Sequence, residues 1–228
     1  MTEAHPATPS KKRPAGKRRP PAPRPQQQQA RPVNPVLERL FGLYPKLFGA
    51  HFLPLKLGVF QDLLARHPDE FKKDELKFAM GQHARSTRYL ESVAAGHARH
   101  DLDGNPVEPV SPEHVHHAIL ELFRRRQARS KEDLRPKLCV RLMQAIEASG
   151  LSLEEYAERV RVQDETTNAL VDDALAQLKL EAAKRDALMA AFKASGKTEA
   201  EFAEMYGMDL REVAGVLERV RRDQAALG

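Results

Sequence analysis

The chain has 228 residues, with 37 Lys and Arg against 32 Asp and Glu, sixteen prolines and one cysteine. A lone cysteine excludes an intrachain disulfide and CxxC metal chemistry, and no apolar run approaches the roughly 18 residues that a membrane span requires. The N-terminus has charges and prolines but no apolar signal core, so the expectation is a cytoplasmic protein that is not exported by the standard route and engages no membrane.

The net charge of +5 is unevenly spread. Residues 1–32 hold eight Lys and Arg against one acidic residue, whereas residues 131–228 hold 15 against 19. Attraction to phosphate is local and screened, so a basic segment can meet an acidic polymer while an acidic segment sits elsewhere on the chain. The segment 1–33, with its run KKRPAGKRRPPAPRPQQQQ, has too few apolar residues to offset its ordering entropy and is predicted to be a disordered basic arm. Such an arm acts as a counterion-releasing contact on nucleic acid, as a solubilising tail or, as a third reading, as a contact to anionic lipid.

Structure is predicted to begin at Asn34, an N-cap followed by Pro35 and by Val36, Leu37, Leu40, Phe41 and Tyr44 at helical spacing. A connector, LFGAHFLP, leads to a second helix whose apolar face is Leu57, Phe60, Leu63 and Leu64. A third helix over Lys72–His83 carries Leu76, Ala79, Met80 and His83 on one side and Lys73 and Lys77 on another. Ser86 caps a short fourth helix through Arg88, Tyr89 and Leu90. After Gly96 the pattern alternates around Asp103-Gly104, a hairpin signal because such a turn needs the positive φ that Gly adopts freely. Ser111-Pro112-Glu113 then caps a fifth helix carrying Val115, Ala118, Ile119, Leu122 and Phe123. The expectation is a mainly α domain over residues 34–130 with a small β-hairpin.

Residues 131–228 contain an internal repeat at a spacing of 46: LMQAIEASGLSLEEYAE at 142–158 recurs as LMAAFKASGKTEAEFAE at 188–204. Gly150 and Gly196 end one helix in each copy, and Ser152 with Glu155, Thr198 with Glu201, and Asp209 with Glu212 have capping-box spacing. Two trihelical, helix-turn-helix-like units result. No breaker falls between Glu165 and Lys193, so the last helix of the first copy can run into the first helix of the second.

A DNA reader needs a helix that approaches phosphates, and the corresponding helix here presents Glu165, Asp172 and Asp173. A packing module for a protein partner or for self-association fits these repeats better, with a DNA-associated regulator or a scaffold as the alternative readings. His97, His100, His114, His116 and His117 lack a converging ligand pattern, so no metal is expected and they are read as solvated or nucleic-acid-facing. No catalytic triad, phosphate-cradling glycine loop or paired carboxylates stand out; neither an enzyme nor a cofactor is expected.

The remaining constellation is Lys56, Lys73, Lys77, Arg85, Arg88 and Arg99 around Tyr89 and His83. Cations that hold phosphates beside a ring that can stack on an unpaired base suit structured or single-stranded RNA. The other reading is a face of solvated lysines with Tyr89 in the core. The residues alone leave both open.

Three strings bear on that choice: PLKLGVFQDLL, RSTRYL followed by DLDGNP, and SPEHVHHA. In this order and spacing the stretch from Asn34 to Arg126 resembles the ProQ/FinO family of RNA chaperones. The resemblance implies a compact helical domain with a short hairpin that binds structured small RNAs and messenger 3′ regions at the hairpin base and its uridine tail. It implies protection, annealing and strand exchange of the bound RNAs. It places Lys56 in the first motif, Lys73, Lys77 and Arg88 on phosphates, and Tyr89 and Arg99 near the 3′ tail. Thr87, Gly81 and Ala94 depart from the family's pattern, where Trp, Arg and Lys respectively are common. Those departures imply a less cationic face.

Overall fold

A computed structural model describes Met1, residues 34–49 and residues 52–226; the expected basic arm lies outside the described residues. Asn34 caps helix α1 (Pro35–Leu43), its side-chain oxygen accepting from the Val36 N–H at 3.0 Å. Pro35 occupies the first turn, where its missing N–H has no intrahelical partner to lose. A single turn, α2 (Pro45–Phe48), runs into the start of the stretch that the sequence reads as a connector. It buries Leu47 and Phe48 completely beside Leu40.

Helix α3 (Val59–Arg66) starts later than its apolar pattern suggests. Gly58 adopts φ +84°, a left-handed turn that breaks the helical period before Val59. Leu57 therefore leaves the predicted apolar face and is 61% exposed, while Val59 and Leu63 fill the core. Helix α4 (Lys73–Ala84) buries Leu76, Ala79 and His83. Ser86 caps α5 (Thr87–Ala94), its Oγ accepting from the Tyr89 N–H at 3.2 Å.

Strands β1 (Arg99–His100) and β2 (Pro106–Glu108) pair antiparallel, with Arg99 opposite Glu108. Their loop is wider than Asp-Gly alone: one Asp101 carboxylate oxygen accepts from the N–H groups of Asp103 at 3.0 Å and Asn105 at 2.9 Å, and Gly104 takes φ +83°. Residues 54–56 lie parallel to β1 as an added edge. The His100 N–H donates to the Pro54 carbonyl at 2.7 Å and the Lys56 N–H to the His100 carbonyl at 2.8 Å.

Helix α6 (Pro112–Gln127) follows Ser111, whose hydroxyl does not cap it as expected. The Ser111 Oγ instead meets His114 Nδ1 at 2.8 Å. His116 is likewise not solvent-facing: it is 3% exposed, and its Nδ1 meets the Tyr156 hydroxyl at 3.1 Å.

Five further helices form the repeats: α7 (Arg135–Ser149), α8 (Leu153–Val160), α9 (Glu165–Ser195), α10 (Glu199–Tyr206) and α11 (Leu210–Ala226). Gly150 and Gly196 both take the left-handed C-cap conformation, and the Ser152/Glu155 and Thr198/Glu201 capping boxes are complete. At Asp209 only half the box forms: its carboxylate accepts from the Arg211 and Glu212 N–H groups. Helix α9 is continuous over 31 residues, as the missing breaker predicts, and its rise of 1.5 Å per residue makes it about 46 Å long.

The cores show why the first repeat is anchored. Leu138, Leu142, Ile146, Tyr156 and Val160 of α7 and α8 share one apolar cluster with Leu90, Val93 and Ala94 of α5 and Ala118, Ile119 and Leu122 of α6. The Arg141 guanidinium donates to the Ala94 carbonyl at 2.5 Å, which satisfies an acceptor at the C-terminal end of α5. A second cluster joins α1, α2, α3 and α4, and Tyr89 packs against both. The second repeat has its own core of Met189, Phe202, Ala203, Val213, Leu217 and Val220.

Candidate nucleic-acid interface

Along α4 the positions 73, 77, 81 and 85 recur every four residues and so share one helix face. Lys73, Lys77 and Arg85 are exposed and have no ion-pair partner among the described residues. Gly81 contributes no charge itself, but the Arg85 guanidinium lies back across it, 3.3 Å from where a Cβ would stand. The row thus regains a cation beside the glycine through the next turn of the chain. Arg88, at the start of α5, is also exposed; its guanidinium carbon lies 5.9 Å from the centre of the Phe52 ring.

The other three candidates are tied into the fold. Lys56 Nζ donates to Asp62 at 2.9 Å, and that hydrogen bond raises its pKa above the ordinary lysine value. Tyr89 and Arg99 converge on one peptide. Because Pro54 and Lys56 pair with β1, the N–H and C=O of Leu55 point away from the sheet and need other partners. The Leu55 N–H donates to the Tyr89 hydroxyl at 3.1 Å, and Arg99 Nη1 donates to the Leu55 carbonyl at 3.0 Å. Arg99 is only 8% exposed; its Nη2 meets His114 Nδ1 at 3.2 Å and its Nε lies 3.9 Å from Glu108.

Tyr89 is half-buried and keeps its own O–H available as a donor. Its ring lies 5.0 Å from that of His83, which also packs on Phe48 and Phe52 at 4.6 and 4.5 Å. Burial in this aromatic nest pushes the His83 pKa down to about 4, so the ring is neutral at physiological pH.

Beside Tyr89 a cavity of about 500 Å³ opens between α5, α6 and the hairpin. Arg85, Tyr89, Arg99, His114, His117 and Arg125 line it, so three of the predicted residues reach one space. Lys73 and Lys77 lie along the neighbouring helix, and Lys56 is not part of the lining. Arg125 was not legible in the sequence. It sits in the run RRRQAR, where it reads as a solvated charge, yet its Nη1 donates to the Arg85 carbonyl at 2.8 Å and its Nε to Glu121 at 2.9 Å.

Three arginines, the Glu121 carboxylate, the half-buried Tyr89 ring and two exposed histidines thus share this open cavity. Among the described residues, no group of three His, Cys, Asp or Glu is placed to hold a metal ion. Burial raises the Cys139 thiol pKa, which makes it a poor nucleophile.

A model of the ProQ/FINO family matches residues 30–135. An RNA chaperone ProQ from Shewanella frigidimarina (strain NCIMB 400) is 43% identical over 94 residues, which are 40% of this chain and 46% of that protein. Another from Aeromonas salmonicida (strain A449) is 43% identical over 89 residues, 35% of this chain and 42% of that protein. A crystal structure of a FinO-like RNA chaperone from Neisseria meningitidis MC58 shares 31% identity, covers 36% of this chain and 85% of its own, and gives a TM-score of 0.34.

The helical domain with its hairpin and cationic row is thus a domain of the ProQ/FinO type. Residues 30–135, less than half of the chain, are the part that matches the ProQ/FINO family. The matched stretch spans less than half the length of the curated relatives, and both copies of the repeat, 142–158 and 188–204, lie beyond it.

Proposed function

We propose that the ProQ/FinO-type domain binds structured RNA, holding a hairpin base by its phosphates and the single-stranded 3′ tail in the cavity beside Tyr89. The observation that carries this reading is the row of exposed cations Lys73, Lys77 and Arg85, without ion-pair partners among the described residues and with Arg88 beside it, leading to that cavity. Each cation placed on a phosphate releases counterions, which supplies affinity without sequence readout. A planar ring at the mouth then gives a stacking surface for an unpaired base. Phosphates running past Arg85 would reach Arg125 and the His114/His117 edge of α6 as the tail enters.

Tyr89 and Arg99 act in this reading partly as positioning residues, because they hold the Leu55 peptide that forms the cavity's edge. Capture of two RNAs near one another lowers the barrier to pairing, which supports a role in annealing and strand exchange on small RNAs and messenger 3′ regions. A DNA-reading role for the repeats has less support: Glu165, Asp172 and Asp173 are exposed on α9 and would repel phosphates. The test is retardation of a terminator-type hairpin by the full chain at low salt, with duplex DNA of equal length as competitor. Retention of the RNA complex is expected; loss of it to equimolar duplex DNA would overturn the reading.

A further inference from the structure

Helix α4 carries an aromatic ring on its wet side. Phe78 is 60% exposed and, with Tyr206 at 57%, is one of two aromatic rings left mostly to solvent among the described residues. A single exposed ring is ordinary on a protein surface, so its setting decides what it means. Leu76, Ala79 and His83 mark the inward side of α4, and at about 100° per residue Phe78 falls on the opposite side. Seven residues on, Arg85 returns to within about 20° of the same line, and Gly81 stands between the two.

The neighbours that could fold over the ring are held elsewhere. Gln82, one turn on, accepts from the Asn34 side chain at 3.0 Å, and Glu75, one turn back, accepts from Lys72 at 3.2 Å. Gly81 offers no side chain, and the Arg85 guanidinium lies against that glycine. Among the described residues, no other ring packs on Phe78 and no cation lies over it. Asp74 is the remaining neighbour on this side; it is exposed, and its charge favours phosphates further along the helix, at Lys77 and Arg85. The result is an open ring beside a shallow step at Gly81, flanked by two cations that have no ion-pair partner among the described residues.

We propose that Phe78 is a second stacking site, which takes one unpaired base from the RNA strand whose phosphates lie on Lys77 and Arg85. This deepens the RNA reading given above and rests on it. The occupant follows from the neighbours: free cations call for a polyanion, and a bare ring beside them calls for a planar group carried by that polyanion. Bases paired inside a stem are stacked on one another and show a protein only their edges. The ligand class therefore narrows to hairpins whose stem is interrupted by an unpaired nucleotide where the strand crosses α4.

Fluorescence anisotropy with the full chain over a salt series tests the stacking site. All probes share one stem and one 3′ uridine tail. One is fully paired, a set carries a single bulged adenosine moved stepwise up from the base of the stem, and a matching set has an abasic ribose in its place. The native chain is expected to bind at least one bulged probe about 5-fold to 150-fold more tightly than the paired probe and its abasic counterpart. Phe78→Leu keeps an exposed apolar side chain without the ring, so the helical circular dichroism and the salt slope should persist while that preference vanishes. Phe78→Tyr should retain it. Salt-dependent binding of all probes alike by the native chain overturns the proposal, as does a bulge preference that survives in Phe78→Leu or an equal loss on bulged and abasic probes. Each of these leaves the RNA reading standing and the ring to another occupant, such as a protein partner. Failure of the native chain to bind any hairpin at low salt overturns both.

Discussion

Replacing Lys73 and Lys77 by glutamine isolates the electrostatic part of the proposed RNA capture. Both side chains are exposed and unpaired among the described residues, so the change should cost little stability, within about 0.5 kcal/mol for ordinary surface positions. Each phosphate contact contributes about 0.7 to 0.9 to the slope of log affinity against log salt, so the double variant should flatten that slope by about 1.4 to 1.8. At about 0.1 M salt this corresponds to an affinity loss of about 40-fold. Fluorescence anisotropy with a labelled hairpin over a salt series measures both quantities. Lys56→Gln is the internal comparison: Asp62 already pairs with Lys56, so its loss should change the slope less than loss of Lys73 or Lys77. A slope unchanged in the double variant, or flattened most by Lys56→Gln, would refute phosphate contact by the α4 row.

Three other changes probe the fold that holds the site. Arg99→Met leaves the Leu55 carbonyl without its donor, so chemical denaturation should show a loss of about 1 to 3 kcal/mol, unlike the surface lysines. His83 and His116 are both held neutral by burial, with pKa near 4 against 6.5 when exposed. The unfolded chain binds the extra protons, so stability should fall as pH drops from about 6.5 to about 4, by about 3 kcal/mol per histidine, and be fully present above that window. His83→Phe keeps a ring among Phe48, Phe52 and Tyr89 and should remove about half of that loss; an unchanged pH profile would contradict the assignment. Thr198→Ala opens the second capping box and should lower stability by about 1 kcal/mol, seen as an earlier loss of helical signal in a thermal melt.

Features encoded by a few adjacent residues were legible in the sequence. Asn34-Pro35, Ser86, Gly150, Gly196 and two of the capping boxes stand where their local chemistry places them, and the absence of a breaker foretold the length of α9. What escaped depends on distant partners. Arg99 reads as a free cation because the acceptor that buries it, the Leu55 carbonyl, lies 44 residues earlier. His116 reads as solvated because Tyr156, forty residues later, covers it. Leu57 shows the local version of the same problem, since one left-handed glycine moves it out of the helical period. Of the seven site candidates, Lys73, Lys77, Arg85 and Arg88 stand free on the surface, whereas Lys56, Tyr89 and Arg99 are bound into the scaffold. Ala94, a departure from the family's pattern, is 6% exposed within the core shared with α7, and its carbonyl accepts from Arg141. A lysine there would lose solvent to the first repeat.

The most direct test of the RNA reading compares one hairpin with and without a single-stranded 3′ uridine tail, bound by the native chain and by Tyr89→Ala. A stacked base is worth about 1 to 3 kcal/mol, so the native chain should prefer the tailed hairpin by about 5-fold to 150-fold. Tyr89→Ala should lose most of that preference while keeping the salt dependence set by Lys73 and Lys77. Equal affinity of the native chain for tailed and blunt hairpins, or a tail preference undiminished by Tyr89→Ala in a folded protein, would contradict the account.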